Sequence, residues 1–158
     1  PIVEPEVLMD GHNTLEICKD ATARTLKALF AKLAENNVIL EGIVLKTNMI
    51  ISGKKCPVQA SSQEIAKETV ETFLNVLPKE LPGIVFLSGG QTPTQATENL
   101  AEINKIGGPW ELSYSYGRAL QDEALTTWAG KNENVEAAQR AFLERVKKVS
   151  DARSQHPS

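Results

Sequence analysis

Gly42-Ile43-Val44-Leu45, which leads into Lys46, and Gly83-Ile84-Val85-Phe86-Leu87 are short, continuously apolar runs, each opened by a glycine, and their reading decides the fold. A strand buried on both faces shows such an unbroken run, whereas a strand with one wet face alternates. Residues 1–3 and 112–116 form two further short β-branched or apolar runs. Each of the four is followed by a polar or glycine-containing turn and then by helical periodicity. In residues 14–35, Leu15, Cys18, Thr22, Leu26, Leu29 and Leu33 recur at three- and four-residue steps, which places them on one helix face. Ser61-Ser62-Gln63-Glu64 before Ile65, Ala66, Val70, Phe73 and Leu74 reads as a capping box opening a second helix, with Pro78 beyond its end. Thr92-Pro93 opens a third, running to Gly107-Gly108. Two more follow Arg118, broken near Gly130 and resumed over 134–149. Residues 151–158 are expected to be a flexible tail after a single domain over 1–150.

Strands alternating with helices imply an α/β fold of βα units around a parallel sheet. Two architectures compete, a doubly wound sheet and part of a (β/α)8 barrel. No Gly-x-Gly-x-x-Gly follows any run, so the dinucleotide-binding version has no support. The barrel gains from the placement of reactive residues: Glu4, Glu6, Lys46, Ser88 and Arg118 each fall at the C-terminal end of a run, the rim where such barrels do chemistry. Four units are present where eight are needed. Half a barrel leaves two sheet edges open and its inner face wet, so a missing partner is expected. The absence of an initial methionine, with a strand-like run already at Pro1, points the same way, to a piece of a longer polypeptide.

Bulk properties narrow the function. A chain of 158 residues with 41% apolar content suits one domain with a real core. A net charge of -3 lacks the basic footprint that nucleic-acid phosphates demand. No apolar run approaches the ~20 residues of a membrane span, and no leader is recognisable, so a soluble cytoplasmic protein is expected. Cys18 and Cys56 are far apart and lack Cys-x-x-Cys spacing; His12 and His156 are separated by nearly the whole chain. Neither a disulfide framework, a metal centre nor any cofactor is expected.

Lys46 is the first candidate for chemistry. A lysine at the end of a buried strand loses hydration, which disfavours the charged form and leaves a neutral amine able to attack a carbonyl. By position alone, a strand-end lysine reaching into water is the commoner case. Glu4 and Glu6, two apart on a strand, would point the same way, and two carboxylates facing one cavity provide a group able to exchange protons near neutrality. Equally, Pro5 could make them a solvated loop pair. Ser88-Gly89-Gly90 allows backbone N–H groups to approach an anion, and Gly117-Arg118 adds a fork suited to phosphate. The plainer readings are a simple turn and an arginine paired with a surface acid. Trp110 and Trp128 read as packing residues at helix ends, and His12 as a turn residue.

Together these segments resemble the class I fructose-bisphosphate aldolases: Pro1-Ile2-Val3-Glu4-Pro5-Glu6, Leu40-Glu41-Gly42 leading to Leu45-Lys46, Phe86-Leu87-Ser88-Gly89-Gly90-Gln91, and Ser115-Tyr116-Gly117-Arg118-Ala119-Leu120. The match runs from Pro1 to about Ser150 and is similar to the second half of a family member. The resemblance implies four strands of a TIM-type (β/α)8 barrel. It implies a metal-free lyase that reversibly cleaves fructose 1,6-bisphosphate to dihydroxyacetone phosphate and glyceraldehyde 3-phosphate, in glycolysis and gluconeogenesis. On that likeness Lys46 forms the imine, Glu4 transfers protons and Glu6 is its charged neighbour. Ser88, Gly89, Gly90, Ser115, Gly117 and Arg118 surround one substrate phosphate. The implied partners are a sugar phosphate, the N-terminal half of the same barrel, which brings an aspartate, further lysines and an arginine, and other copies in a homo-oligomer. Thr47 stands where the family usually has proline, a change expected to be tolerated. The chain ends at His156-Pro157-Ser158, without the family's long tail and its terminal tyrosine. A half-barrel kept for phosphate binding or assembly is the rival, and another Schiff-base aldolase with a different sugar phosphate is a third possibility.

Overall fold

The computed structural model describes residues 1–155; His156, Pro157 and Ser158, at the end of the expected tail, lie outside them. Four strands, β1 (Ile2–Val3), β2 (Val44–Thr47), β3 (Gly83–Phe86) and β4 (Glu111–Tyr114), form one sheet. They lie side by side in chain order and all run parallel. A parallel neighbour is reached only by a crossover. Here α1 (Leu15–Glu35), α2 (Ser62–Val76) and α3 (Pro93–Ile106) make the three crossovers. The helices α4 (Arg118–Trp128) and α5 (Val135–Arg153) follow β4 and pack on each other and on α3. Every crossover steps to the next strand in the same direction. A doubly wound sheet needs a point where the strand order reverses, and this sheet has none, so the barrel-type winding is the one adopted.

Strand limits depart from the apolar runs. Leu40–Gly42 is a single 3-10 turn, and β2 starts only where its ladders begin, at Val44 opposite Ile2 and Gly83. Lys46 therefore lies within the strand, with Thr47 after it. β1 ends at Val3, which leaves Glu4 and Glu6 in the segment beyond it rather than on a strand. β4 stops at Tyr114, so Ser115 and Tyr116 belong to the following turn. The helix α5 continues to Arg153, and the tail expected from residue 151 is corrected accordingly: Ala152 is buried and holds the last turn against the core.

The two faces of the sheet differ. Leu45, Thr47, Ile84, Phe86 and Leu112 are buried on the face that meets the helices, and Phe86 stacks on Phe73 of α2 with ring centroids 5.9 Å apart. On the other face Val44, Lys46, Gly83, Val85 and Ser113 are only half-buried, and Ile2 and Glu111 are exposed. Burial on both faces, expected from the unbroken runs, is thus not met within this chain. The pleat alternates covered and uncovered residues along every strand. The register Lys46↔Val85↔Ser113 sets those three in one row on the uncovered face.

The helix α2 opens with the anticipated box: Glu64 N–H donates to Ser61 Oγ, while the Ser61 backbone N–H and hydroxyl both donate to Glu64 Oε2 at 2.8 Å. Those bonds, the backbone one foremost, hold the Glu64 carboxyl below its ordinary range. A lowered carboxylate contributes stability that is complete above its unfolded value and disappears as pH falls through the folded one. Replacing Ser61 by Ala should destabilise the chain by about 1 kcal/mol in urea and return the Glu64 titration, followed by NMR, toward higher pH. The asymmetry of the faces predicts a second contrast. Phe86→Ala should cost about 3–5 kcal/mol in urea denaturation of this chain, against well under half of that for the adjacent Val85→Ala.

Candidate active site

Lys46 Nζ lies 2.9 Å from Glu4 Oε1, with the lysine side chain 21% and the glutamate 48% exposed. The amine leaves the sheet on the uncovered face, and Glu4 reaches it from the segment that continues β1. An ion pair this exposed is worth about 1 kcal/mol at most, so it is a weak structural tie. Glu6 does not share the contact: among the described residues, Glu4 is the one carboxylate within 4.0 Å of Lys46. Glu6 turns toward Ser88-Gly89-Gly90, where a Cβ added to Gly89 would come 2.9 Å from its Oε1. The two glutamates therefore face two different neighbours, one the amine and the other the glycine turn.

The segment that carries them is held by a buried side chain. Asn48, 1% exposed, accepts from Val7 N–H through Oδ1 at 3.1 Å, and its Nδ2 donates to Thr22 Oγ1 at 3.0 Å and to the Met49 carbonyl at 3.2 Å. One amide thus ties the end of β2 to α1 and to the run bearing Glu4 and Glu6. Beyond it, residues 9–13 run beside residues 53–55. Gly53, Lys54 and Lys55 donate their backbone N–H groups to the carbonyls of Asn13, Met9 and Gly11 at 2.8, 2.8 and 3.0 Å. A Cβ on Gly53 would stand 2.4 Å from the Gly11 carbonyl oxygen, so only glycine permits this approach. Gly90, at φ +81°, closes the other side; a Cβ there would meet Met9 Cβ at 2.5 Å.

Ser88, Gly90 and Arg118 share a small cavity of about 80 Å³ with Lys54, Gln91 and Asp122. Gly89, Ser115 and Gly117 lie outside its lining. Ser115 donates its N–H to the Phe86 carbonyl at 2.9 Å, and Gly117 caps α4, its carbonyl accepting from Leu120 and Gln121. Arg118 begins α4, and among the described residues no carboxylate lies within 4.0 Å of its guanidinium, which removes the surface-pair reading. Behind the cavity, the start of α3 is fixed by Arg145, which donates to the Pro93 carbonyl at 2.9 Å and to the Thr97 hydroxyl. Tyr116 donates its hydroxyl to the Ala96 carbonyl at 2.8 Å, and burial pushes that phenol well above its ordinary value.

A cavity of about 530 Å³ between α4 and α5 is lined by residues that include Leu125, Trp128, Val135 and Phe142, with no titratable group among them. Trp128 is 42% exposed in its wall rather than packed. Trp110 is buried, its indole donating to the Pro78 carbonyl at 2.9 Å. Sequence reasoning missed Asn48 and Lys54. No local pattern marks Asn48, whereas Gly53-Lys54 repeats the glycine-cation pattern recognised at Gly117-Arg118.

A family model described as glycolytic fructose-bisphosphate aldolase class-I matches residues 1–156. A fructose-bisphosphate aldolase of Dictyostelium discoideum is 49% identical over 148 residues, 93% of this chain and 42% of the relative. Arabidopsis thaliana fructose-bisphosphate aldolase 4, cytosolic, is 47% identical over 154 residues, 96% of this chain and 39% of the relative. A solved structure of Plasmodium falciparum fructose-bisphosphate aldolase, in complex with TRAP and a small molecule inhibitor, superposes with a TM-score of 0.94 at 44% identity, covering 100% of this chain and 46% of that one. The chain spans less than half the length of the curated relatives it matches.

Because Asn48 satisfies Val7 and Thr22 together, Asn48→Ala should lower stability by about 1–3 kcal/mol, the cost of leaving the Val7 donor and the Thr22 acceptor unpaired. Amide exchange at Val7 should rise by a comparable factor, read by hydrogen–deuterium exchange; protection equal to the parent chain would show that the segment is held by something else.

Proposed function

The chain belongs to the class-I fructose-bisphosphate aldolase family, and from that membership we propose that the polypeptide containing it is a cytoplasmic lyase. Its substrate on this reading is fructose 1,6-bisphosphate, cleaved reversibly to dihydroxyacetone phosphate and glyceraldehyde 3-phosphate in glycolysis and gluconeogenesis. The observation that carries the reading is the 2.9 Å approach of Glu4 to the Lys46 amine on the uncovered sheet face. An amine next to a carboxylate has a nucleophile and a proton carrier in hydrogen-bond reach, the arrangement that covalent catalysis requires.

Lys46 Nζ adds to the C2 ketone, Glu4 passes a proton to the carbinol hydroxyl, and water leaves an iminium. The C3–C4 bond then breaks, its electron pair moving into the iminium, while the C4 hydroxyl proton goes to Glu4 and the aldehyde departs. Protonation of the enamine at C3 and hydrolysis return the amine and release dihydroxyacetone phosphate. Ser88 and Gly90, with Arg118, hold one phosphate, and Gly89, Ser115 and Gly117 support the turns around it. Glu6 sets the charge between the turn and the amine. The half-covered inner face supports the further reading that this chain is the C-terminal half of the barrel, closed by an N-terminal half that brings the remaining charged groups. We assign the closed protein to a homo-oligomer.

Borohydride reduction of the full-length polypeptide with dihydroxyacetone phosphate should leave a mass adduct on the Lys46 peptide. Lys46→Met should abolish it and reduce kcat at least about 10⁴-fold, as loss of a covalent nucleophile does. The 158-residue chain alone should turn over at background, since both sides of the cavity are needed to orient the substrate. No adduct and no cleavage in the full-length polypeptide would leave a phosphate-binding half-barrel as the function.

A further inference from the structure

We propose that Lys54 is a second cation of the phosphate cradle, held by Asp10 while the cradle is empty and transferred to the substrate's phosphoryl group when it fills. The inference rests on the aldolase reading of this site and adds a residue to it. Lys54 and Arg118 come from loops after different strands, yet both line the same cavity of about 80 Å³, together with Ser88, Gly90 and Gln91. That volume suits a single tetrahedral anion and little else.

The charge balance of the cavity explains why one cation is too few. Asp122 also lines it, so Arg118 alone would bring formal neutrality to a pocket meant for a dianion. With Lys54 the lining carries a net single positive charge. The present partner of Lys54 is replaceable: Asp10 Oδ1 is 3.3 Å from Nζ, and the two side chains are 50% and 73% exposed. Such a pair holds weakly, whereas a phosphoryl group offers several charged oxygens to the same ammonium. The backbone beneath the lysine does not move freely, because Gly53, Lys54 and Lys55 are bonded to the carbonyls of residues 13, 9 and 11. Only the side chain has to swing, so little order is lost on binding.

The experiment titrates inorganic phosphate into the full-length polypeptide at fixed ionic strength, and measures fructose 1,6-bisphosphate cleavage in parallel. Lys54→Gln should weaken phosphate binding about tenfold and raise KM by a similar factor, while Lys54→Arg stays close to the parent. Asp10→Asn frees the ammonium and should tighten phosphate binding, an opposite shift that general loosening of the loop would not give. Unchanged phosphate affinity in Lys54→Gln, or weaker binding in Asp10→Asn, overturns the role of Lys54. A parent polypeptide that binds phosphate through Lys54 yet neither cleaves the sugar bisphosphate nor forms an imine overturns the aldolase reading and leaves the cradle standing.

Discussion

A parallel sheet must be covered on both faces, and this chain covers one. Phe73, Phe86, Leu45, Ile84 and Leu112, among its large buried side chains, belong to the layer between sheet and helices. What remains of each strand, Val44, Lys46, Val85 and Ser113, faces the other way. The sheet's β1 and β4 edges also have no strand beside them among the described residues. The candidate chemistry falls on that same uncovered face, so covering the face and completing the site are one structural requirement. The shelter that makes an amine useful must come from whatever closes the face, because within the chain Lys46 is still 21% exposed.

The rim is knit by polar contacts as well as by the buried Met9, Met49, Ile50 and Ile51. Asn48 ties three elements with one side chain, and the hydrogen-bonded rows at residues 9–13 and 53–55 extend that tie toward the anion cavity. Glycines at 53 and 90 let two loops lie closer than any other residue would allow. The carboxylate, the amine and the cations therefore sit on separate segments, of which Gly53 and Lys54 are held to residues 9–13 by backbone hydrogen bonds. The helix face carries much of the hydrophobic stabilisation, and the rim adds polar ties to its own apolar contacts.

Much of this was legible in the chain. Period and capping signals found every helix, since Ser61-Glu64 and Thr92-Gln95 satisfy local donors in whatever tertiary context they stand. The strands were found but misplaced by one or two residues. Their limits are set by ladder partners distant in the chain, such as Gly83 for Val44, and an apolar run does not encode its partner. The unbroken apolar character of residues 42–45 and 83–87 suggested burial on both faces, which makes sense only for a sheet with more protein on its inner side. The place of Glu4, Ser88 and Arg118 beyond the strand ends was legible, whereas Lys46, read as closing its run, lies inside β2. Asn48 was not legible, because its meaning depends on Thr22 and Val7, brought near it by the fold alone.

Glu6 shows how such long-range placement alters a chemical reading. Spaced two residues from Glu4, it suggested a pair of carboxylates sharing one cavity. The short β1 ends before either residue, so strand alternation no longer governs them, and each takes the direction its own neighbours permit. Glu4 meets a cation and Glu6 meets the bare backbone of Gly89. A carboxylate resting on a glycine turn disfavours any anion there unless cations stand nearby. Arg118 and Lys54 stand opposite Asp122 and Glu6 around that turn, so its charge is a balance of opposed groups rather than the property of any one residue.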